Sequence, residues 1–238
     1  MRPIRPLLAT TTAVAALGVA LAGCGRAGPS GGAADLATTT TAIAAGTSAA
    51  GTAGPGAKPG PEAAVAAARD FLQREVGMGE LVAGRFEATG TDTGQVAFRL
   101  KFGEGGSPMP ATAPRTVVRL QRYRDGWAVL GTSGRDIQVS APVRFARISS
   151  PVAVAGKASA FEGTVQVAVT EDRAGKDRTL GQGVVTGSGT AELGPFSGRV
   201  GFRKPTANAG WLLFTTESEA DGVGTLEATA VRIRFQVE

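Results

Sequence analysis

The chain has one cysteine and no histidine, and those two counts decide most of the chemistry open to it. Cys24 closes the run Leu21-Ala22-Gly23-Cys24, with small residues directly before its thiol. Without histidine no Ser-His-Asp or Cys-His pair can form, and a zinc site with nitrogen or sulfur ligands is ruled out. Carboxylate chemistry, a serine–lysine pair and oxygen-ligated calcium remain. The best calcium candidate, Glu171-Asp172-Arg173-Ala174-Gly175-Lys176-Asp177, lacks the alternating acids of a calcium loop and places cations among its carboxylates. It reads as a solvated hairpin tip. Ser159 lies two residues from Lys157, but no oxyanion-hole motif accompanies the pair. A non-enzyme is expected, with no metal and no cofactor.

The reactive thiol sits at the end of an export-like segment. Arg2 and Arg5 precede a stretch from Leu7 to Ala22 without a single charge, the layout of a cleavable signal. Sixteen helical residues rise about 24 Å, short of the ~30 Å hydrocarbon core of a bilayer. Plain cleavage would leave Cys24 as an odd thiol in an oxidising compartment. The pattern resembles the lipobox of bacterial lipoprotein signals. That resemblance implies removal of residues 1–23, a cut between Gly23 and Cys24, and a diacylglyceryl group on the Cys24 sulfur. The protein would then be lipid-anchored at the extracytoplasmic face of the cell membrane, with the membrane as its first partner.

Residues 24–60 read as a tether. From Gly25 to Gly60, 31 of the 36 residues are Ala, Gly, Ser, Thr or Pro, too little apolar bulk to offset the entropy of ordering. Such a coil has a mean reach of about 30–36 Å. Beyond it the charges balance: residues 61–146 hold 11 basic and 9 acidic side chains, and residues 147–238 hold 10 of each. Neither half carries the dense basic footprint of a nucleic-acid binder. The cluster Arg115, Arg119, Arg122, Arg124 reads as a solvated strand face whose arginines blunt a sheet edge; contact with lipid headgroups or acidic wall polymers is the functional alternative.

The elements that must carry any site divide into two groups. In residues 61–146, Pro61 opens and Gly77 stops a helix of about four turns, with Val65, Ala68, Leu72 and Val76 on one stripe. The period then becomes two: Phe98, Leu100 and Phe102, then Val118 and Leu120, then Trp127, Val129, Ile137 and Val139, with a hairpin signal at Asp125-Gly126. This is a small α+β domain, one helix on an antiparallel sheet. Residues 147–238 show short alternating strands around 152–154, 164–170, 179–186, 196–202, 212–216, 226–229 and 231–237, the rhythm of an all-β immunoglobulin-like sandwich. With no disulfide, its core is expected from aliphatic residues plus Phe161, Phe196, Phe202, Trp211 and Phe214.

Several short motifs run in order through the second half: Ser150-Pro151-Val152-Ala153-Val154-Ala155-Gly156, Phe161-Glu162-Gly163-Thr164, Gly194-Pro195-Phe196, and Glu217-Ser218 with Asp221-Gly222. Together they resemble the immunoglobulin-like domain of bacterial spore germination proteins. The resemblance implies that fold over about 147–238 and an envelope role, and it marks Pro151, Gly156, Phe161, Glu162, Pro195, Phe196, Ser218, Asp221 and Gly222 as family positions. Each has a structural reading: strand opening, core filling or turn chemistry. The leading expectation is a non-catalytic envelope lipoprotein presenting modules to a wall polymer or an envelope protein. A ligand-binding lipoprotein with an apolar pocket around Phe98, Leu100 and Trp127 is the alternative, and a carboxylate-based wall hydrolase a remote one.

Overall fold

The computed structural model describes residues 59–103, 106–113, 116–172, 178–218 and 224–236. Leu21, Ala22, Gly23, Cys24 and the tether as far as Lys58 lie outside these residues, as do Arg115, Asp221, Gly222 and residues 173–177 of the acidic loop.

Helix α1 (Pro61–Phe71) starts with proline in its first turn and widens into a single π turn over Leu72–Val76. Gly77 ends it in the left-handed region (φ 79°), a conformation that costs glycine nothing. Ala64, Ala68, Phe71 and Leu72 are its buried stripe. Two charged residues of the helical segment, Arg69 and Glu75, are both engaged. Arg69 donates to the Leu81 carbonyl (2.7 Å), and Glu75 forms an ion pair with Arg178.

Four strands follow, β1 (Leu81–Ala88), β2 (Thr93–Leu100), β3 (Thr116–Tyr123) and β4 (Gly126–Gly134). β1 is absent from the sequence pattern because its alternation is broken: only Leu81 is fully buried, and the register slips between Ala83 and Phe86. The β3–β4 hairpin turns on Arg124-Asp125, one residue before the expected pair, since Gly126 already opposes Tyr123. The remaining strands are β5 (Ile137–Ala141), β6 (Arg147–Ile148), β7 (Val152–Ala158), β8 (Thr164–Glu171), β9 (Thr179–Thr186), β10 (Gly194–Val200), β11 (Ala209–Glu217) and β12 (Thr225–Phe235).

Among the described residues these strands form two sheets. One runs β1-β2-β3-β4-β12-β11-β8-β9, with β6 added beside β12; the other is β10-β7-β5. The fold is thus a helix followed by a mostly antiparallel sandwich, as the pattern implies. The pattern did not reveal that both halves share the larger sheet. β3 is therefore an interior strand, and the arginines on it do not blunt an edge. Arg122 of that group is held by Asp92 (2.7 Å) and the Thr91 carbonyl.

The seam between the halves lies where β4 meets β12. Only Val231 and Gly131 pair there as ladder partners. Threonine hydroxyls supply further links: Thr116 Oγ1 accepts from the Ala228 N–H and Thr132 Oγ1 from the Ala230 N–H, while Thr132 donates to the Ala228 carbonyl. Buried backbone groups that a regular ladder leaves unpaired are satisfied this way.

Two cores result, one on each face of the larger sheet. Between the sheets, Val165, Val167 and Val169 of β8 meet Leu212 and Phe214 of β11, Ile233 of β12 and Phe196 of β10. On the other face, Phe98, Leu100, Val118 and Leu120 join α1, Trp211, Leu213, Ala228 and Ala230. Successive side chains of a strand point to opposite faces, so β11 supplies Leu212 and Phe214 to one core and Trp211 and Leu213 to the other. Trp211 consequently packs on Phe71 (centroids 4.7 Å apart) rather than inside the sandwich. Phe161, also expected in the sandwich core, is 52% exposed because it opens a short 3₁₀ turn at the sandwich's end. Ile137 and Val139, read with the first half, pack in the second through β5.

Candidate functional site

Antiparallel pairing fixes which features share an end of the molecule. β4 runs against β12, so the amino end of β4 lies at the carboxyl end of β12. At that end the indole N–H of Trp127 donates to the carbonyls of Pro59 (3.2 Å) and Gly60 (3.0 Å), where the described chain begins. We call this the proximal end. The distal end gathers the end of β4, the starts of β5, β8, β10 and β12, and the turn at 161–163.

At the distal end a cleft of about 480 Å³ opens between the 111–113 loop and the β3–β4 pair. Ala111, Ala113, Val117, Ser133, Gly134 and Arg135 line it. Behind its wall lies Glu227, 1% exposed. Its Oε1 accepts from the Asp136 N–H at 2.7 Å, and its Oε2 has no hydrogen-bond partner among the described residues. A β-carbon on Gly134 would stand 1.9 Å from Glu227 Oε1, so glycine is what lets the carboxyl tuck under β4. The Glu227 carboxyl is pushed up to about 7, chiefly by burial; backbone N–H donation and Arg135 oppose the rise, and the Asp136 carboxylate adds to it. Asp136 itself is gripped by Arg135 through two contacts of 3.0 Å.

Two acids near a cleft raise the question of hydrolysis. A glycosidase needs both carboxyls open to the substrate. Here one is sealed in and the other is occupied by a guanidinium. The serine–lysine pair fares no better: Ser159 Oγ donates to the Thr190 carbonyl, and Lys157 is exposed opposite Pro195. Of the acidic loop, Glu171 accepts from the Thr206 and Ala207 N–H groups (2.6 and 2.9 Å), and Asp172 pairs with Arg232. The pocket expected around Phe98, Leu100 and Trp127 is filled: Phe98 and Leu100 are core residues, and Trp127 rests edge-on against Phe86.

The family positions concentrate at the distal end. Gly156 on β7 faces Phe196 on β10, and a β-carbon there would meet the Gln138 carbonyl oxygen at 2.2 Å and the Phe196 ring at 2.6 Å. Gly156→Ala is expected to lower stability by about 3 kcal/mol, since backbone as well as ring must move; a denaturant midpoint within error of the parent's would refute the contact. Phe196 is buried on Phe214 (5.9 Å), and Pro195 is exposed beside it. In the turn that follows β7, Glu162 sits in the left-handed region (φ 49°) and is exposed together with Phe161. The turn is pinned by the Gly187 N–H donating to the Gly163 carbonyl. Ser218 accompanies the β11–β12 turn, its N–H donating to the Gly224 carbonyl. Pro151 lies at the proximal end, opening β7 next to Ser150, whose hydroxyl accepts from the Phe202 N–H.

The matched stretch begins at β5 and stops within the β11–β12 connection. Residues 136–223 match the family model for the immunoglobulin-like domain of bacterial spore germination. No curated protein and no solved structure matches the chain. The germination-type segment starts earlier than 147 because β5 hydrogen-bonds to β7 and closes the smaller sheet. It leaves out β12, which brings Ile233 and Phe235 to the sandwich core. Sequence reasoning missed Glu227 and the cleft. A lone glutamate at the start of the last strand gives no signal until Gly134, 93 positions earlier in the chain, is seen to cover it.

Proposed function

We propose that this chain is a non-catalytic, lipid-anchored envelope protein that holds a germination-type immunoglobulin-like module near a membrane and offers its distal end to an envelope protein or a cell-wall polymer. The observation that carries the reading is the attachment of Pro59 and Gly60 to Trp127, at the end opposite the cleft and the 161–163 turn. A tether joined there leaves the distal end free to face away from the anchor. Exposed Phe161, backed by a glutamate in a sparsely populated backbone region, gives that end an apolar contact with a defined shape. The engaged states of Asp136, Ser159 and Glu171 support the non-catalytic part.

Two acyl chains hold a protein stably at a bilayer, whereas a chain without them relies on weaker contacts. After a high-salt wash that strips electrostatic contacts, Cys24→Ala should therefore move most of the protein from the membrane fraction to the soluble fraction, and an unchanged distribution would remove the anchor from the account. Crosslinking in cells followed by capture should recover one envelope partner lost on Phe161→Ser. Equal recovery with the variant would move the contact away from the distal turn.

A further inference from the structure

Phe145 is the strained aromatic of this fold. Its φ is 65°, a left-handed conformation that a bulky side chain seldom adopts, and the ring remains 43% exposed. Two positions earlier Val143 is 69% exposed. The backbone around them is well fixed: the Phe145 N–H donates to the Arg232 carbonyl at 2.6 Å, and the Ala146 N–H donates to Val143. Neither apolar side chain helps the interior, yet the strand connection holds both outward.

The surroundings are cationic. The Arg144 and Arg234 guanidinium carbons lie 5.2 and 5.8 Å from the Phe145 ring centroid. Arg147 and Arg234 are direct neighbours in the parallel pairing of β6 with β12, a like-charge contact that costs stability. All three arginines are exposed, and none forms an ion pair with a described residue. The nearby acid Asp172 is spent on Arg232. The loop joins β5 to β6 at the carboxyl end of β12, the proximal end where Gly60 is held.

We propose that Val143, Phe145 and the arginines at 144, 147 and 234 form a second, non-covalent contact with the membrane: an anionic bilayer surface into which the two apolar side chains dip. Three cations that form no ion pair among the described residues match anionic headgroups. The exposed valine and phenylalanine gain only where hydrocarbon is within reach, at the boundary between headgroups and acyl chains. A soluble anionic polymer would satisfy the arginines but leave Val143 and Phe145 in water. The inference rests on the proposed anchor for its placement, because the tether joins the module at its proximal end and keeps that end within reach of the bilayer. The contact would seat the module instead of letting it swing on the tether.

The test uses a chain begun at residue 24 with Cys24→Ser, which keeps every described residue and removes any acyl group. It should co-sediment with vesicles containing phosphatidylglycerol and not with pure phosphatidylcholine. Arg144→Glu and Arg234→Glu should each weaken that partitioning at least about fivefold, the worth of one basic side chain at such a surface. Phe145→Gly is the decisive variant, because glycine accepts φ 65° without strain. Its thermal midpoint should hold or rise while vesicle binding falls several-fold. No binding to anionic vesicles by the parent would overturn the proposal. So would binding that Phe145→Gly and Val143→Ser leave intact and that poly(glycerol phosphate) displaces, a result that assigns the patch to a wall polymer. The lipid on Cys24 is judged separately by the mass of the mature protein, which binding by the patch does not alter, so either idea can fail alone.

Discussion

Replacing Trp211 with alanine is expected to lower the free energy of unfolding by about 3–5 kcal/mol, the usual cost of deleting a large buried aromatic. The indole is 5% exposed, meets the Phe71 ring edge-on at 4.7 Å, and is covered on another side by Arg232, whose guanidinium carbon lies 4.8 Å from its centroid. Truncation removes this burial and leaves a void that neighbours on a rigid sheet and a docked helix fill poorly. The location matters as much as the size. Trp211 belongs to the germination-type segment in sequence, yet it packs against the helix before it. Loss of the ring should therefore lower the denaturant midpoint seen by circular dichroism and that seen by Trp127 fluorescence together. Two separated transitions, with Trp127 unaffected, would mean that the halves fold independently and that the seam at β4 and β12 transmits nothing.

The second large effect is a pH dependence that Glu227→Gln should abolish. In the unfolded chain this carboxyl titrates in the ordinary glutamate range near 4.5, and in the fold burial moves it to about 7. Between those values the native state holds a proton that the unfolded state has released. Stability then falls as pH rises, because its slope follows the protons bound by the unfolded state minus those bound by the native. The contribution is fully present below about 4.5 and is lost as pH passes through about 7. A shift of this size corresponds to roughly 3 kcal/mol. Asp136 and Arg135 are the charged groups that act on the site. Glutamine keeps an acceptor for the Asp136 N–H and cannot ionise. The difference in stability between variant and parent, measured across this range, should grow in favour of the variant as pH rises. Parallel curves would show that Glu227 is ionised in the fold throughout.

Much of this architecture is legible in the residues themselves, for a physical reason. Val165, Val167 and Val169 alternate because one face of β8 is buried, and Pro61 and Gly77 bracket the helix because one fits its first turn and the other its left-handed end. The pattern places both Trp211 and Phe214 in the sandwich core, whereas the run Trp211-Leu212-Leu213-Phe214 divides between two cores. It is apolar throughout because both faces of β11 are covered, a distinction periodicity alone does not make. The seam was hidden for a related reason: Thr116, Thr132 and Thr229 look like ordinary strand threonines until their hydroxyls are found replacing ladder bonds. Of the candidate residues, Gly156 and Phe196 were marked by their motif, and the contact between them explains both. Phe161 was marked by the same motif but misassigned, because a short 3₁₀ turn sends outward a residue that strand alternation would send in. Glu227, Gly134 and Phe145 carried no motif. Their roles come from contacts between distant strands and, for Phe145, from a backbone angle.

The mass of the mature protein tests the proposed lipid anchor on Cys24 most directly. Protein extracted from membranes of the native host should begin at Cys24 and carry a diacylglyceryl group on that residue, with residues 1–23 removed. A mature chain that starts elsewhere, or that starts at Cys24 with a free thiol, would contradict the anchor and with it the outward orientation of the distal end.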